Sequence, residues 1–575
     1  MINNNMTLLV DSNQIETIIH GDEFTFKIKD DSHFELSSQT ALWRMTLALD
    51  SHAQILGDGF QMLAQTGGRI DQPHPIGRCP DNNGEYRIYP IDAPQRYYNY
   101  LVIQTNQDFC LMGFSSCQRF AGYFEIEPQA DHYAITAYLD GEELLTSELT
   151  NRYLESLVVI REATLDAVFS RFSNAIARHH TPCAGTHAQT PVGWCSWYAY
   201  YANVTQDHIA ENLEAMQDAF AEIEWVLLDD GYQAHMGDWL TPSNKFPDGI
   251  DAVIANIRAK GKKPAIWIAP FIADKDSELL SNHPDWFVTH SDGKLLKAEE
   301  ITYGGWRCTP WFILDTSHPE VQAHLTSVVR KMREQWGVEL FKLDANYWGT
   351  LKGQRFANVT GIEAYRMGME AIRRGAGEAW LLGCNAPMWP SLGLVDAMRV
   401  SDDVERFSGR FEQIAKENFC RSWQHQRLWQ IDPDCATFTS LPNQAAEYEA
   451  YDFHRNALLA SGGLLLSGDP LPDASPLAVS SWQKLVLRQS QNSANARFDD
   501  LHFHHATLTL NTKETLHCAF NYHYNGAQTL TLQSQVACNW FDYWSGEKLN
   551  SEPTALFELS LPSGLAARSL ISRAI

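Results

Sequence analysis

The stretch Gly337-Val338-Glu339-Leu340-Phe341-Lys342-Leu343-Asp344-Ala345-Asn346-Tyr347-Trp348 decides how the chain is interpreted. Leu340, Phe341 and Leu343 predict a buried strand, and the apolar run ends in a polar turn. Lys342 and Asp344 stand two positions apart, so on a strand they point to the same face. Opposite charges on a buried face are costly unless they are paired or functional. Asp344 is therefore either half of a structural ion pair or a catalytic carboxylate at the C-terminal end of a strand.

Working outward from this strand, the chain repeats the order strand, loop, helix from Pro191 onward. Apolar periodicity predicts helices around Ile209–Phe220, Ile250–Ile257 and Val321–Trp336, the last two ending near Gly261 and Gly337. Eight strands with crossover helices over roughly 300 residues predict a (β/α)8 TIM barrel. A doubly wound sheet is the alternative, but no glycine-rich phosphate fingerprint follows the first strand. The predicted strands are Val192–Trp197, Trp225–Leu228, Pro264–Ile268, Leu340–Leu343, Ala379–Gly383, Val395–Val400, Cys435–Phe438 and Gly463–Leu466.

Alternating apolar and polar residues predict β domains on both sides of the barrel. Residues 1 to about 165 read as a β-sandwich, followed by a helix over Thr164–His179 and a small polar connection over Thr181–Thr190. The fold class is thus α/β, with a central barrel and two flanking β-sandwich domains. The predicted domains are residues 1–180, 191–490 and 491–575.

Composition excludes several classes of partner. The chain has 575 residues, with 44 Lys and Arg against 70 Asp and Glu, a formal charge of −26. This balance argues against nucleic acid and anionic membranes as partners. No signal peptide and no apolar run of about 18 residues is visible. The eleven Cys are scattered and lack metal-ligand spacing, which favours a cytoplasmic protein without metal or cofactor. The oligomeric state is not predicted.

The predicted barrel would carry its site where the strands end. Those ends supply several carboxylates, one Lys, one Arg and much indole. Such a pocket suits a polyhydroxylated sugar ring, whose hydroxyls bind carboxylates and whose C–H faces stack on Trp. The contributing segments are Trp194–Tyr198, Asp229–Tyr232, Gly237–Trp239, Trp267–Pro270, Lys342–Asp344, Gly383–Asn385, Arg399–Asp403 and Ser467–Asp469.

The same set of strand ends can cleave a glycoside. Glycoside hydrolysis uses two carboxyl groups, about 5–5.5 Å apart for retention and about 6.5–9.5 Å apart for inversion. Because the fourth and sixth strands end on opposite sides of a barrel mouth, Asp344 and Asp403 are a sensible pair. The two His pairs, His179-His180 and His504-His505, are expected at the surface without a role.

Several motifs, in order, resemble glycoside hydrolase family 36 α-galactosidases, which share a clan with family 27. The likeness covers the barrel and, loosely, both flanking domains. The motifs are Leu227-Leu228-Asp229-Asp230-Gly231-Tyr232, Trp306-Arg307, Leu314-Asp315-Thr316-Ser317-His318-Pro319-Glu320-Val321, Phe341-Lys342-Leu343-Asp344, Gly383-Cys384-Asn385-Ala386-Pro387 and Met398-Arg399-Val400-Ser401-Asp402-Asp403.

The resemblance implies a role for each matching residue. Asp344 would be the nucleophile of a double displacement. Asp403, four positions after Arg399, would be the general acid/base in preference to Asp402. The substrate-binding residues implied are Asp229 and Asp230 for the 4- and 6-hydroxyls, Lys342 for ring hydroxyls, Cys384 and Arg399 for the 2-hydroxyl, Trp267 and Trp194 in the wall, and Phe60 lent by the N-terminal domain.

Two features keep other interpretations open. Asn385 replaces a smaller residue, and Val400-Ser401-Asp402 replaces an Ile-Gly-Pro sequence seen in close members. The same fold could therefore act on α-linked N-acetylgalactosamine or transfer galactosyl groups to make raffinose-type sugars. A non-catalytic sugar-binding protein is the interpretation from another class. For Phe60, a loop over the site and an ordinary hairpin at Gly57–Met62 are both compatible with the sequence.

Overall fold

The structure is a computed structural model that describes residues 6–149 and 152–575. Its N-terminal strands form a twelve-stranded sheet with the order β1-β5-β12-β11-β9-β10-β14-β3-β2, from which β6, β7 and β8 branch at β9. All its pairs described are antiparallel, as the alternating sequence predicts. The N-terminal strands are Met6–Leu8 (β1), Ile15–His20 (β2), Glu23–Ile28 (β3), Glu35–Leu36 (β4), Thr40–Leu47 (β5), Gln54–Asp58 (β6), Gln65–Arg69 (β7), Gln72–Pro75 (β8), Arg96–Gln104 (β9), Phe109–Phe114 (β10), Ala121–Pro128 (β11), Tyr133–Asp140 (β12), Leu144–Leu145 (β13) and Tyr153–Glu162 (β14). Of these, β4 and β13 pair with each other in a separate two-stranded sheet.

One helix, Leu165–Ala177 (α1), follows this sheet, and Thr164 caps its N-terminus by accepting from the Ala167 amide. The predicted surface location is wrong for His180, whereas His179 is partly exposed. His180 is buried and its ring accepts a hydrogen bond from the Cys117 amide (3.0 Å), while His179 pairs with Glu23. Burial, with Arg366 nearby, lowers the pKa of His180 to about 3, so the ring is the neutral acceptor that the buried amide needs.

The central part contains eight parallel strands in the order β23-β22-β21-β20-β17-β16-β15-β24. A parallel bridge joins Ala436, four residues after β23, to Ser467 of β24, so the sheet closes into the predicted barrel. The strands are Val192–Cys195 (β15), Trp225–Leu228 (β16), Lys263–Ile268 (β17), the hairpin Ile272–Asp274 (β18) and Trp311–Ile313 (β19), then Leu340–Leu343 (β20), Trp380–Gly383 (β21), Ala397–Arg399 (β22), Gln430–Asp432 (β23) and Leu465–Ser467 (β24).

Helices lie between these strands along the chain, with their apolar stripes buried. Gly337 adopts a left-handed φ of 90° directly before β20, which lets the chain turn from helix to strand. The helices are Trp197–Tyr200 (α2), Gln206–Ala215 (α3), Ile250–Ala259 (α4), Glu278–Asn282 (α5), Ala298–Ile301 (α6), Pro319–Lys331 (α7), Gly361–Ala376 (α8), Ser408–Arg421 (α9), Tyr448–Ser461 (α10) and Pro476–Gln491 (α11).

The seventh barrel strand was predicted in the wrong place. Cys435–Phe438 follows the true strand, β23, in which Gln430 and Asp432 are buried. The Gln430 side chain donates to the carbonyls of Gly185 (2.9 Å) and Ala188 (2.8 Å), so its polarity is satisfied inside the protein. Because these buried residues are polar, β23 lacks the hydrophobic pattern that would predict a buried strand.

The C-terminal residues form a six-stranded antiparallel sheet in the order β25-β26-β27-β30-β28-β29. Its core contains Trp540, Leu532 and Leu570. The confirmed fold class is therefore a (β/α)8 barrel with β-sandwich domains on both sides in the sequence. The strands are Arg497–Phe498 (β25), His505–Asn511 (β26), Glu514–Asn521 (β27), Gln528–Asp542 (β28), Thr554–Leu561 (β29) and Ala566–Ala574 (β30).

Contacts divide the chain into two compact units. The first unit comprises Met1–Cys183, Gln233–Ser243 and Ile268–Asp396, and the second comprises Ala184–Tyr232, Asn244–Trp267 and Ala397–Ile575. The division into domains at 1–180, 191–490 and 491–575 remains a prediction. Within the described residues, no helix has the length and apolarity needed to cross a membrane.

Candidate active site

In the first unit, β20 places Lys342 and Asp344 as the sequence predicts. Lys342 is buried, and Asp344 is partly exposed just after the strand. The Asp344 amide donates to the Ile268 carbonyl (2.9 Å), and its Oδ1 accepts from the Ala345 amide (2.7 Å). Ala345 has a left-handed φ of 52°, so the chain turns sharply at this point. The carboxylate of Asp344 is thereby held at the C-terminal end of a buried strand.

The next strand end, that of β21, is tied to the first. The buried Cys384 donates its amide to the Leu343 carbonyl (2.7 Å), and the Asn385 carbonyl accepts from the Tyr347 amide (2.8 Å). Asn385 adopts a left-handed φ of 45°, which Asn tolerates better than most residues. These bonds keep Cys384 and Asp344 on neighbouring strand ends.

The Gly57–Met62 segment of the N-terminal domain lies against the segment that follows Asn385. Backbone hydrogen bonds join Met62 to Ala386 (3.1 Å) and Met388 to Phe60 (2.9 Å), and a bridge joins Gln61 to Pro387. Phe60 is almost fully buried, with its ring edge-on to Tyr347 (6.2 Å between centroids). Of the two interpretations for this segment, the structure shows a hairpin loop that contacts a barrel strand end.

A buried carboxylate, Asp81, holds this loop. It accepts from the Phe60 amide (2.7 Å) and the Gln61 side chain (3.2 Å). Burial raises the pKa of Asp81 to about 7, opposed by these hydrogen bonds. Asp81 therefore titrates near neutral pH beneath a residue of the candidate site.

Tyr86 is a site neighbour that sequence reasoning missed. Its hydroxyl donates to Asn385 Oδ1 (2.9 Å), and its ring contacts Tyr347 (5.3 Å). The side chain of Asn385, which the sequence marks as unusual, is thus held by the N-terminal domain. The nearby sequence signal is the turn at Asn83-Gly84, which does not predict a contact with a residue as distant in sequence as Asn385.

In the second unit, the ends of β15 and β16 carry Trp194, Asp229 and Asp230, all buried. The Asp229 amide donates to Ser196 Oγ (2.9 Å), and Asp229 Oδ1 accepts from the Asp230 amide (2.8 Å). The indole N–H of Trp194 donates to the Asp469 carbonyl (2.8 Å). The carboxylates of Asp229 and Asp230 are therefore placed by their own backbone turn, and the indole ring of Trp194 is fixed by its hydrogen bond to Asp469.

The turn after Asp230 requires glycine. Gly231 has a φ of 120°, and a Cβ there would lie 2.7 Å from the Ala202 carbonyl oxygen. Trp267, the fourth predicted site residue of the second unit in chain order, is fully buried on β17.

After β22, one buried guanidinium organises two carboxylates. The Arg399 side chain is 1% exposed, and its NH2 lies 2.8 Å from Asp403 Oδ1 and 2.9 Å from Asp434 Oδ2. Asp403 is 50% exposed, whereas Asp402 is buried and ion-paired with Arg410 (2.8 Å). Of the two adjacent carboxylates, Asp403 is the one that a substrate can reach.

A second buried Arg, Arg406, supports the loops around this site. It donates to the carbonyls of Tyr198 (3.0 Å), Thr439 (2.7 Å) and Gly468 (3.3 Å), and to Asp469 Oδ1 (3.1 Å). Loops that follow four strands of the second unit thus share one cation. In the described residues, no group of three or more His, Cys, Asp or Glu is arranged to hold a metal ion.

The chain is similar to known proteins over the part that carries the first strand ends of the site. The melibiase family matches residues 154–368, which include Asp229, Asp230, Lys342 and Asp344. This part of the chain resembles a melibiase domain. This match confirms the resemblance to family 36 that the motifs indicate.

Curated relatives of this melibiase-type chain match over shorter segments. A bifunctional α-galactosidase/sucrose kinase of Mediterraneibacter gnavus, AgaSK, is 27% identical over 240 residues, covering 40% of this chain and 24% of that protein. The chain thus matches about a quarter of the length of that relative.

Solved structures match over most of the chain. The α-galactosidase TtGalA of Thermus thermophilus, in complex with p-nitrophenyl α-D-galactopyranoside, has a TM-score of 0.62 at 20% identity and covers 87% of this chain and 97% of its own. The family 36 α-galactosidase AgaA of Geobacillus stearothermophilus has a TM-score of 0.67 at 12% identity and covers 96% of this chain and 80% of its own. At these identities the likeness shows the fold.

Proposed function

We propose that this chain is a retaining, exo-acting α-galactosidase that removes terminal α-galactosyl residues from oligosaccharides or glycoconjugates. The observation that carries the proposal is the end of β20, where Lys342 and Asp344 lie within the melibiase match. The accessible carboxylate of Asp403, at the end of β22, supplies the second group that glycoside hydrolysis needs.

In this proposal, the reaction proceeds by double displacement. Asp344 attacks C1 while Asp403 protonates the leaving oxygen, and a covalent galactosyl-enzyme forms. Asp403 then takes a proton from water, which attacks C1 and releases galactose with retained configuration. The turn at Ala345 supports this role for Asp344, because its amide binds the carboxylate and fixes its orientation.

The remaining candidate residues bind the sugar in this proposal. Asp229 and Asp230 take the 4- and 6-hydroxyls, Lys342 the ring hydroxyls, and Cys384 and Arg399 the 2-hydroxyl. Trp267, Trp194 and Phe60 form apolar walls. The substrate is then a neutral α-galactoside, and neither nucleic acid nor a membrane is a partner. The scattered cysteines of the sequence support a cytoplasmic location, which cell fractionation would test.

The decisive experiment measures hydrolysis of p-nitrophenyl α-galactoside, the corresponding α-N-acetylgalactosaminide, melibiose and raffinose. Asp344→Gly is expected to lose activity on the order of 10⁴-fold. Added azide then separates the two roles. Azide should give the β-galactosyl azide with Asp344→Gly, because it replaces the nucleophile, and the α-galactosyl azide with Asp403→Gly, because it replaces water in the second step.

Asp396→Asn is the matched control. Asp396 is a buried carboxylate before β22, paired with Arg373 (2.5 Å) at the opposite end of the strand from Arg399. The folded control should keep kcat/KM within a factor of about three. Full activity of Asp344→Gly would refute the mechanism. Preference for the N-acetylgalactosaminide, transfer exceeding hydrolysis, or binding without turnover would each replace the proposed activity by the corresponding alternative.

A further inference from the structure

Asp434 is a buried carboxylate that the proposed chemistry leaves without a role. It lies two residues after β23, and its backbone has a left-handed φ of 72°, an unusual conformation for a residue other than glycine. Its Oδ2 accepts from Tyr198 Oη (2.6 Å), the Val404 amide (2.7 Å) and Arg399 (2.9 Å). A strained residue whose side chain collects three donors is held there by its surroundings.

Two of these three donors lead directly to Asp403. Val404 is its neighbour in the chain, and Arg399 donates to both Asp403 Oδ1 and Asp434 Oδ2 through the same nitrogen. One cation therefore serves two carboxylates. Arg399, Asp403 and Asp434 thus form a charged trio. When both carboxylates are ionised, the net charge of the trio is −1, so one bound proton neutralises the trio.

The two carboxylates of the trio have different electrostatic surroundings. Burial raises the pKa of Asp434 to about 6, with Asp403 and Asp432 adding to the rise and Arg399 and Tyr198 opposing it. The Asp403 carbonyl accepts from Arg410 (3.0 Å), which is itself paired with Asp402 and Glu405. The titratable or charged groups around these three side chains include Tyr198, Tyr201, Asp402, Glu405, Arg410, Asp432 and Cys435.

We propose that Asp434 is a positioning residue that competes with Asp403 for Arg399 and so keeps Asp403 protonatable at the working pH. The proposal rests on the proposed glycosidase function, in which Asp403 is the acid/base. A guanidinium reserved for Asp403 would stabilise its carboxylate and make it a poor acid. Because Asp434 shares the cation, Asp403 can hold a proton before it protonates the leaving oxygen.

The same arrangement serves the second half of the reaction. Once Asp403 has given its proton to the leaving oxygen, its new negative charge lies 2.8 Å from Arg399. The guanidinium then stabilises both carboxylates without moving, until Asp403 takes a proton from the attacking water. Asp434 also fixes the Val404 amide, so the loop that carries Asp403 stays in place throughout.

The test is the pH profile of kcat/KM for Asp434→Asn. Loss of the competing charge should lower the pKa of Asp403, so the alkaline limb should move down by about one pH unit. At pH values above that limb, kcat/KM should fall more for raffinose, whose leaving group needs protonation, than for p-nitrophenyl α-galactoside. Asp396→Asn is again the matched control, since Asp396 is a buried carboxylate paired with Arg373; its limb should not move.

Tyr198→Phe provides a second variant if Asp434→Asn does not fold. It removes one donor from Asp434, raises the pKa of that carboxylate and weakens its competition for Arg399, so the limb should move in the same direction by less. An unmoved limb in the folded variant, with activity scaled equally at all pH values, would overturn the role of Asp434. An inactive wild-type chain would instead refute the proposed function, and with it this inference.

Discussion

Replacing Arg406 by methionine should destabilise the second unit more than loss of any surface ion pair. The Arg406 side chain is 1% exposed and its partner Asp469 is 2% exposed. Methionine fills similar apolar volume but donates nothing. The substitution therefore leaves the buried carboxylate of Asp469 without its cation, and it removes the donors to the carbonyls of Tyr198, Thr439 and Gly468.

The magnitude follows from these contacts. Removing one partner of a buried ion pair costs about 3–5 kcal/mol, and each lost carbonyl bond adds about 1 kcal/mol at most. The contributions overlap, and the Asp469 carboxylate keeps the Phe438 and Thr439 amides as donors. We expect a net loss of about 4 kcal/mol in the free energy of unfolding of the second unit. That loss corresponds to a fall in Tm of roughly 10 °C.

The loss should also depend on pH. Burial already raises the pKa of Asp469, and without Arg406 it should rise further above that of the unfolded chain. A carboxyl whose folded pKa is raised contributes stability below its unfolded pKa and loses that contribution as pH rises through the folded value. The destabilisation of Arg406→Met should therefore be smaller near pH 4.5 than near pH 8, in thermal melts followed by near-UV circular dichroism.

Two further variants make this reasoning testable. Arg406→Met with Asp469→Asn removes the orphaned charge, so near pH 8 the double variant should be more stable than Arg406→Met alone by about 1.5 kcal/mol or more. Arg568→Met is the surface control, because Arg568 is 41% exposed beside Asp542, and it should cost less than about 1 kcal/mol. A pH-independent loss, or an Arg406→Met variant within about 1 kcal/mol of wild type, would refute the argument.

Three predictions concern the loop that contacts Asn385. The pKa of Asp81 is about 7, above its value in the unfolded chain, so its contribution to stability is lost as pH rises through 7. Asp81→Asn should therefore flatten the dependence of the unfolding free energy on pH between pH 5 and 8. An unchanged pH dependence would contradict the pKa assigned to Asp81. In Gly59→Ala, the added Cβ would collide with the Ala64 backbone, so proteolysis should cut this loop faster than in wild type. Tyr86→Phe removes one hydrogen bond to Asn385 and should cost about 1 kcal/mol in denaturant unfolding, whereas in an Asn385→Gly background it should cost nearly nothing.

The sequence predicts the barrel wherever apolar residues form the strands. Leu340, Phe341 and Leu343 mark β20 with its observed limits, and Trp225–Leu228 is placed equally well. The position of β23 was not predicted because Gln430 and Asp432 are polar and buried, and the partners of Gln430 come from elsewhere in the chain. Hydrophobic patterning reports burial of apolar side chains alone.

In the candidate site, too, the sequence predicts some residues and misses others. Asp344, Asp403, Asp229 and Asp230 could be named because motifs tie them to strand ends. The contact that fixes the Asn385 side chain next to Cys384 could not be predicted, since Tyr86 and Asn385 are 299 positions apart and share no local pattern. The role proposed for Asp434 could not be predicted for a similar reason, because its hydrogen-bond partners lie in segments that follow other strands.

The backbone bonds between the Gly57–Met62 loop and the segment after β21 have a consequence for synthesis. Met62 contacts Asn385, 323 positions later in the chain. At about 5–20 residues per second, a ribosome needs roughly 15–65 s to make the intervening polypeptide. During that time Phe60 has no partner in Tyr347, and the N-terminal strands wait as a nascent domain with an uncovered aromatic loop. Translation speed and chaperone binding in this interval should therefore govern the yield of folded protein.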